Sequence, residues 1–180
     1  MTTAKRVTSK PRKAKPTAPK AKPANFDSLL EWLSDYCDKP RMEKVTAMLK
    51  CTRHQLFCDV SEERVVGVIR SQKSTRIFYA CKLEPDGTFG CCDHELQACM
   101  GQLGNKPCKH LMLLLLGLVR AEKIKLEQAV EWVSNIKNNK RKPVVDNMLM
   151  VETLMKYRGA ESGAVDWRPL ETIPEDYYSL

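Results

Sequence analysis

The chain has 180 residues, 43% of them hydrophobic, which suits one domain of ordinary size with its own core and additional tails. Its net charge of +8 resembles that of a nucleic-acid binder. However, eight of the 30 Lys and Arg residues fall within residues 1–25, which hold no acid, and the other 22 are matched by 22 Asp and Glu. This distribution excludes a generally basic folded body and assigns attraction to polyanions to the tail.

Residues 1–25 are rich in Lys, Pro and Ala and cannot bury enough apolar surface to offset their ordering entropy, so they are expected to be disordered. They read either as a solubilising tail or as a non-specific nucleic-acid tether whose binding weakens steeply with salt. No aromatic interrupts the run, so base stacking is not expected there. No apolar signal-peptide core stands at the N-terminus. The longest apolar run, 111–119, is far shorter than the roughly 17–25 residues of a membrane span. A cytoplasmic protein with reduced cysteines is expected, and clustered reduced cysteines lean toward metal binding.

Along the chain, residues 27–37 read as an amphipathic helix with Ser28 and Glu31 as a capping box and Pro40 beyond its end. Residues 42–50 continue as a second short helix through Met42, Val45, Met48 and Leu49. The period then changes. Segments 55–60, 64–70 and 75–83 are rich in Val, Ile, Phe and Tyr, and polar turns separate them. Glu84-Pro85-Asp86-Gly87 is a turn leading into a short strand over 88–91. These segments predict an antiparallel meander. Residues 93–100 are expected to form a helical turn capped by Asp93, and 101–107 a loop. Pro107 suits the first turn of a helix running to about residue 121. That helix is apolar on all sides and so is expected to be buried. Residues 126–137 and 146–157 predict two further helices. Residues 158–180, with Trp167, Tyr177 and Tyr178, read as an extended arm, suited either to docking on a partner or to packing back on its own domain. The domain therefore spans 26–157. Its fold class is α+β: a small antiparallel meander packed on a metal-anchored helix, with additional C-terminal helices.

The chemistry sits at the start of the buried helix. Cys108-Lys109-His110 places a thiol and an imidazole in a first helical turn, where the helix dipole favours thiolate over thiol. Upstream stand Cys91-Cys92 and Cys99. Zinc prefers four nitrogen or sulfur ligands in a tetrahedron. The first choice of ligands is Cys92, Cys99, Cys108 and His110. Cys91 is an alternate, because strand alternation puts it on the face of Phe89. His94 is another, because Cys92-Asp93-His94 mimics a Cys-x-Cys pair. Cys37, Cys51 and Cys58 read as core or surface thiols, and Cys81, on a strand, as a reserve ligand. Cys108 and His110 do not face each other as a nucleophile and base would. A catalytic zinc would need an open position and a nearby acid, for which Glu95 is the close candidate. No phosphate-binding glycine loop is present, and no enzyme is expected.

Pro107-Cys108-Lys109-His110-Leu111, followed by an apolar helix, resembles the second half of the SWIM zinc finger, Cys-x-Cys followed by Cys-x-His on a strand–strand–helix unit. The first half departs, with Cys91-Cys92-Asp93-His94 and then Cys99 in place of Cys-x-Cys. The stretch from Val65-Val66-Gly67-Val68-Ile69-Arg70-Ser71 to Gly117-Leu118 is similar to a bacterial group of small SWIM-like proteins, and the resemblance covers roughly residues 55–120. It implies a structural Zn2+ and an adaptor role toward protein or DNA. It also implies protein partners of the MoxR-type AAA+ ATPase or von Willebrand A domain class. DNA contact would run through residues 1–25 or, in the alternative, through the SWIM-like domain itself.

Overall fold

The computed structural model describes residues 22–161. Most of the basic tail, and residues 162–180 of the arm expected over 158–180, lie outside the described residues, while residues 158–161 are helical. The order of elements is α1 (Phe26–Tyr36), α2 (Lys39–Leu49), β1 (Gln55–Val60), β2 (Val65–Arg70), β3 (Phe78–Leu83), β4 (Phe89–Asp93), α3 (Lys109–Arg120), α4 (Leu126–Asn138) and α5 (Asn147–Glu161). The protein is α+β, as its alternating segments predict.

The local signals explain most element boundaries. Helix α1 starts at Asn25, whose side chain accepts from the Ser28 amide while the Ser28 hydroxyl reaches back to the Asn25 amide. The capping box is thus Asn25 with Ser28, one turn earlier than the Ser28–Glu31 pairing expected from sequence. Asp38 caps α2, and Pro40 lies in that helix's first turn, where its missing N–H costs nothing. Pro40 therefore starts the second helix as well as closing the first. Residues 93–100 do not form a helix. Asp93 Oδ1 accepts from the Glu95 and Gln97 amides, a tight turn built on the predicted cap residue, and a short 3-10 turn follows at Met100–Gln102. Pro107 stands just outside α3, whose N-cap is Cys108.

The four strands form one antiparallel sheet in the order β1-β2-β3-β4, a meander of sequential neighbours. Both faces are covered, which explains why β2 is buried residue after residue instead of alternating. One face presents Val65, Ile69, Cys81, Leu83, Phe89 and Cys91 to a main core that also takes in α1 to α4. The other presents Val68, Ala80 and Cys92 to α5, whose Met150 and Tyr157 are buried against it.

Helix α3 lies at the centre of the main core. Every residue from His110 to Leu118 is buried. It can approach the sheet closely because β2 has no side chain at Gly67. A Cβ built there would come 2.5 Å from Leu114 Cδ1 and 2.6 Å from the Phe57 carbonyl oxygen. Gly67→Ala should therefore destabilise the protein by about 1–3 kcal/mol through forced displacement of α3. Thermal denaturation should show a Tm lower by several degrees, and an unchanged Tm would mean that α3 does not depend on this contact.

Candidate metal centre

Four buried donor side chains converge where α3 begins. They are Cys91 from β4, Cys99 from the loop after it, and Cys108 and His110 from the first turn of α3, with ligand atoms all within 4.8 Å of one another. His110 directs Nδ1 at the thiols, 3.5 Å from Cys99 Sγ and 4.0 Å from Cys91 Sγ. A zinc ion with bonds of about 2.3 Å to sulfur and 2.0–2.1 Å to nitrogen would require S–N edges of about 3.6 Å and S–S edges of about 3.8 Å. The donor set and its spacing fit a tetrahedral metal ion.

Each donor is held from outside the cluster. Cys108 is the N-cap of α3 and its Sγ accepts from the Leu111 amide at 3.4 Å, so the helix dipole faces the site. Arg41 of α2 donates to the Pro107 carbonyl and fixes the approach to Cys108. The Cys91 carbonyl accepts from the Cys99 amide at 2.9 Å and from Gln102 Nε2 at 2.6 Å, which ties the loop back to the strand. Gly101 allows the loop to close, since a Cβ there would come 2.9 Å from Cys108 Cβ. The His110 ring stacks on Tyr79, with centroids 3.7 Å apart. Its Nε2 is buried with no hydrogen-bond partner among the described residues, so stacking orients the imidazole.

The electrostatics are those of a proton-sharing thiol cluster. Burial raises Cys91, and its hydrogen bonds with the neighbouring thiols add to that, so its pKa stands well above the ordinary thiol value. Cys108 feels the same burial, but its bonds with Cys91, Cys99 and His110 bring it down to about 6. Burial alone would lower His110, yet the Cys108 and Cys99 side chains outweigh it and raise the imidazole. Such a cluster keeps part of its protons until a cation takes their place.

The site departs from the first-choice ligand set at one residue. Cys92 is on the opposite face of β4, buried beside Ala80 and Met150 under α5. Burial, then the charges of Asp93 and Cys99, push its pKa up to about 11. The strand runs through Asp93, so alternation holds across the Cys-Cys pair and turns Cys91, with Phe89, toward α3. The alternate Cys91 thus takes the place assigned to Cys92. His94 is exposed at the rim, edge-on to Phe78 with ring centroids 6.3 Å apart, and does not join the cluster. Cys99, Cys108 and His110 stand together as expected. Glu95 is exposed in the turn after β4. Cys81, the reserve, lies with its Sγ 3.4 Å from that of Cys91. The sequence signal for Tyr79 as a wall of the site is its spacing two residues before Cys81 on one strand, which sequence reasoning passed over.

No protein family, curated protein or solved structure matches the chain.

Cys91→Ser and Cys92→Ser should separate cleanly. The first should weaken metal binding strongly, whereas the second should leave about one ion per chain at wild-type affinity by elemental analysis, with a stability loss only. Loss of the ion in Cys92→Ser with retention in Cys91→Ser would reverse the assignment. Because burial holds Cys91 toward its thiol form, metal binding there should expel protons. Affinity should therefore rise with pH and fall on acidification, as calorimetry in buffers of different ionisation enthalpy would read.

Proposed function

We propose that this chain is a zinc-organised adaptor of SWIM-like type, in which Cys91, Cys99, Cys108 and His110 hold a structural Zn2+. The carrying observation is the convergence of three buried thiols and one buried imidazole on one point. Zinc at four protein ligands has no open position for substrate, so its contribution is a cross-link between the hairpin, the loop and α3. The strand–strand–helix setting of the four donors supports the SWIM resemblance, which rests otherwise on Pro107-Cys108-Lys109-His110-Leu111.

The interaction role draws support from apolar surface left outside the core. Met148, Val151 and Met155 of α5 are exposed at spacings of three and four, with exposed Val144 four residues earlier. Met100 and Leu103 are exposed on the loop that carries Cys99. Such surface suits a protein partner, and the MoxR-type ATPase or von Willebrand A class rests on the resemblance alone.

A second reading, contact of the domain itself with nucleic acid, has its own observation. Lys109, beside the metal ligands, has its pKa lowered first by burial and then by the charge of Lys44, with Lys73 acting the same way and Cys99 and Cys108 opposing, so Lys44 and Lys73 lie within electrostatic range of it. Residues 1–25 would add eight more cations.

The protein purified under reducing conditions should carry about one zinc per chain, and chelation or Cys108→Ser should lower its Tm sharply. A folded, metal-free protein would sink the zinc reading. For nucleic acid, fluorescence anisotropy with a duplex should show affinity falling steeply with salt. Deletion of residues 1–25 should remove most of that dependence if the tail carries it. If the dependence survives deletion and is lost in Lys109→Glu, the domain itself is the contact.

A further inference from the structure

The centre holds one thiol more than a tetrahedral ion requires. Cys81 of β3 is directly opposite Cys91 of β4 in the sheet register, and the two Sγ atoms are 3.4 Å apart. The Cys91 carbonyl is turned toward Cys99 and Gln102, so Cys81 and Cys91 form a non-hydrogen-bonded pair, the narrower of the two antiparallel spacings. Cys108 is also near enough to act on the acidity of Cys81. It is fully buried and its strand's inner face is the wall of the site, since Tyr79, two residues before it, stacks on His110. A cysteine that merely filled the core would pack among carbon atoms. This one lies against Cys91, with Cys108 within electrostatic range.

We infer that Cys81 is a fifth donor of this centre, which can replace His110 and hold a soft divalent ion through four thiolates, Cys81, Cys91, Cys99 and Cys108. The inference rests on the reading of this cluster as a metal site.

Charge decides which set is used. Zn2+ with three thiolates and a neutral imidazole leaves one net negative charge in a buried site, and a fourth thiolate leaves two. The second charge is costly to bury, so zinc is expected to leave Cys81 outside its ligand set, hydrogen-bonded to Cys91. A larger, softer d10 ion such as Cd2+ shifts the balance. It prefers thiolate to imidazole, and its longer bonds reach a donor set more spread than zinc tolerates. The dipole of α3 and the Leu111 amide at Cys108 offset part of the added charge. Removal of the imidazole should have the same effect as a softer ion, because it leaves three thiolates and the Cys81 thiol is the nearest remaining donor.

The test uses the full chain, loaded under reducing conditions with zinc and separately with cadmium. Zinc retention against a competing chelator is compared in the wild type, Cys81→Ser, His110→Ala and the double variant. Cys81→Ser should hold zinc within about threefold of wild type, and His110→Ala should keep one ion about tenfold more weakly. The double variant should be weaker than His110→Ala by at least about a hundredfold. If His110→Ala loses its ion as completely as the double variant does, Cys81 is no ligand and the inference falls. A wild type that binds no zinc and no cadmium overturns the metal-site reading itself, and the inference with it. Cadmium supplies a comparison that requires no crippled variant. The thiolate-to-cadmium charge-transfer band should be stronger in wild type than in Cys81→Ser by about 4:3, the ratio of cadmium–sulfur bonds. Bands of equal strength overturn the inference.

Discussion

Helix α3 has no polar face, and the rest of the structure follows from enclosing it. A helix that is apolar all round cannot lie on a surface. One side is covered by the four-stranded sheet, and α1, α2 and α4 join the same core around it. Its two ends remain a difficulty, because the first amides of a buried helix have no partners within the helix. At the N-terminus the difficulty is met by sulfur: Cys108 caps the helix and accepts from Leu111. The same residue belongs to the Cys/His donor cluster, so the capping of the central helix and the chemistry of the site are one arrangement.

That arrangement is expensive without a cation. Several thiols and an imidazole are buried within contact distance of one another, and they must share protons or bury unpaired charge. The opposite displacements of Cys91 and Cys108 are the consequence, one thiol holding its proton and the other giving it up easily. A divalent ion removes the conflict by satisfying all the donors together. It would also join β4, the loop through Cys99 and the start of α3 at one point. In that loop Met100 and Leu103 are exposed, and its closure rests on the Gly101 approach and on the Cys99 amide and Gln102 bonded to the Cys91 carbonyl.

Much of this was legible in the residues, and the exceptions have physical causes. The change of period from helical to alternating marked the meander, and the apolar run after Pro107 marked the buried helix. Element ends were less legible, because Asn25 and Ser28 make a better cap than Ser28 with Glu31, and because Pro40 can begin one helix as readily as end another. The Cys91–Cys92 choice turned on whether the strand continued past the pair. The turn signal at Glu84-Pro85-Asp86-Gly87 fixed where β4 begins, but its end was set by Asp93 pairing with Tyr79, a non-local contact that spacing cannot reveal. Covering the outer face by α5 was hidden for a different reason. That helix is apolar on two sides, with Met150 and Tyr157 inward and Met148, Val151 and Met155 outward, so no single amphipathic stripe announces which face is buried.

The sheet acts as a partition, and this constrains how the protein can work. Cys91 and Cys92 are adjacent in sequence, yet one faces the donor cluster and the other lies under α5. A partner cannot reach the donors, because all four are buried. In the proposed adaptor role, recognition would therefore use surfaces that the centre positions without lining. The loop through Cys99 is one, since holding that cysteine also fixes Met100 and Leu103. The outer stripe of α5 is the other, separated from the centre by the thickness of the sheet. Loss of the ion would be felt at the first surface directly and at the second only through β3 and β4. A division of that kind is what the proposed adaptor would require: an ion would set the shape of one face and leave the other free to bind.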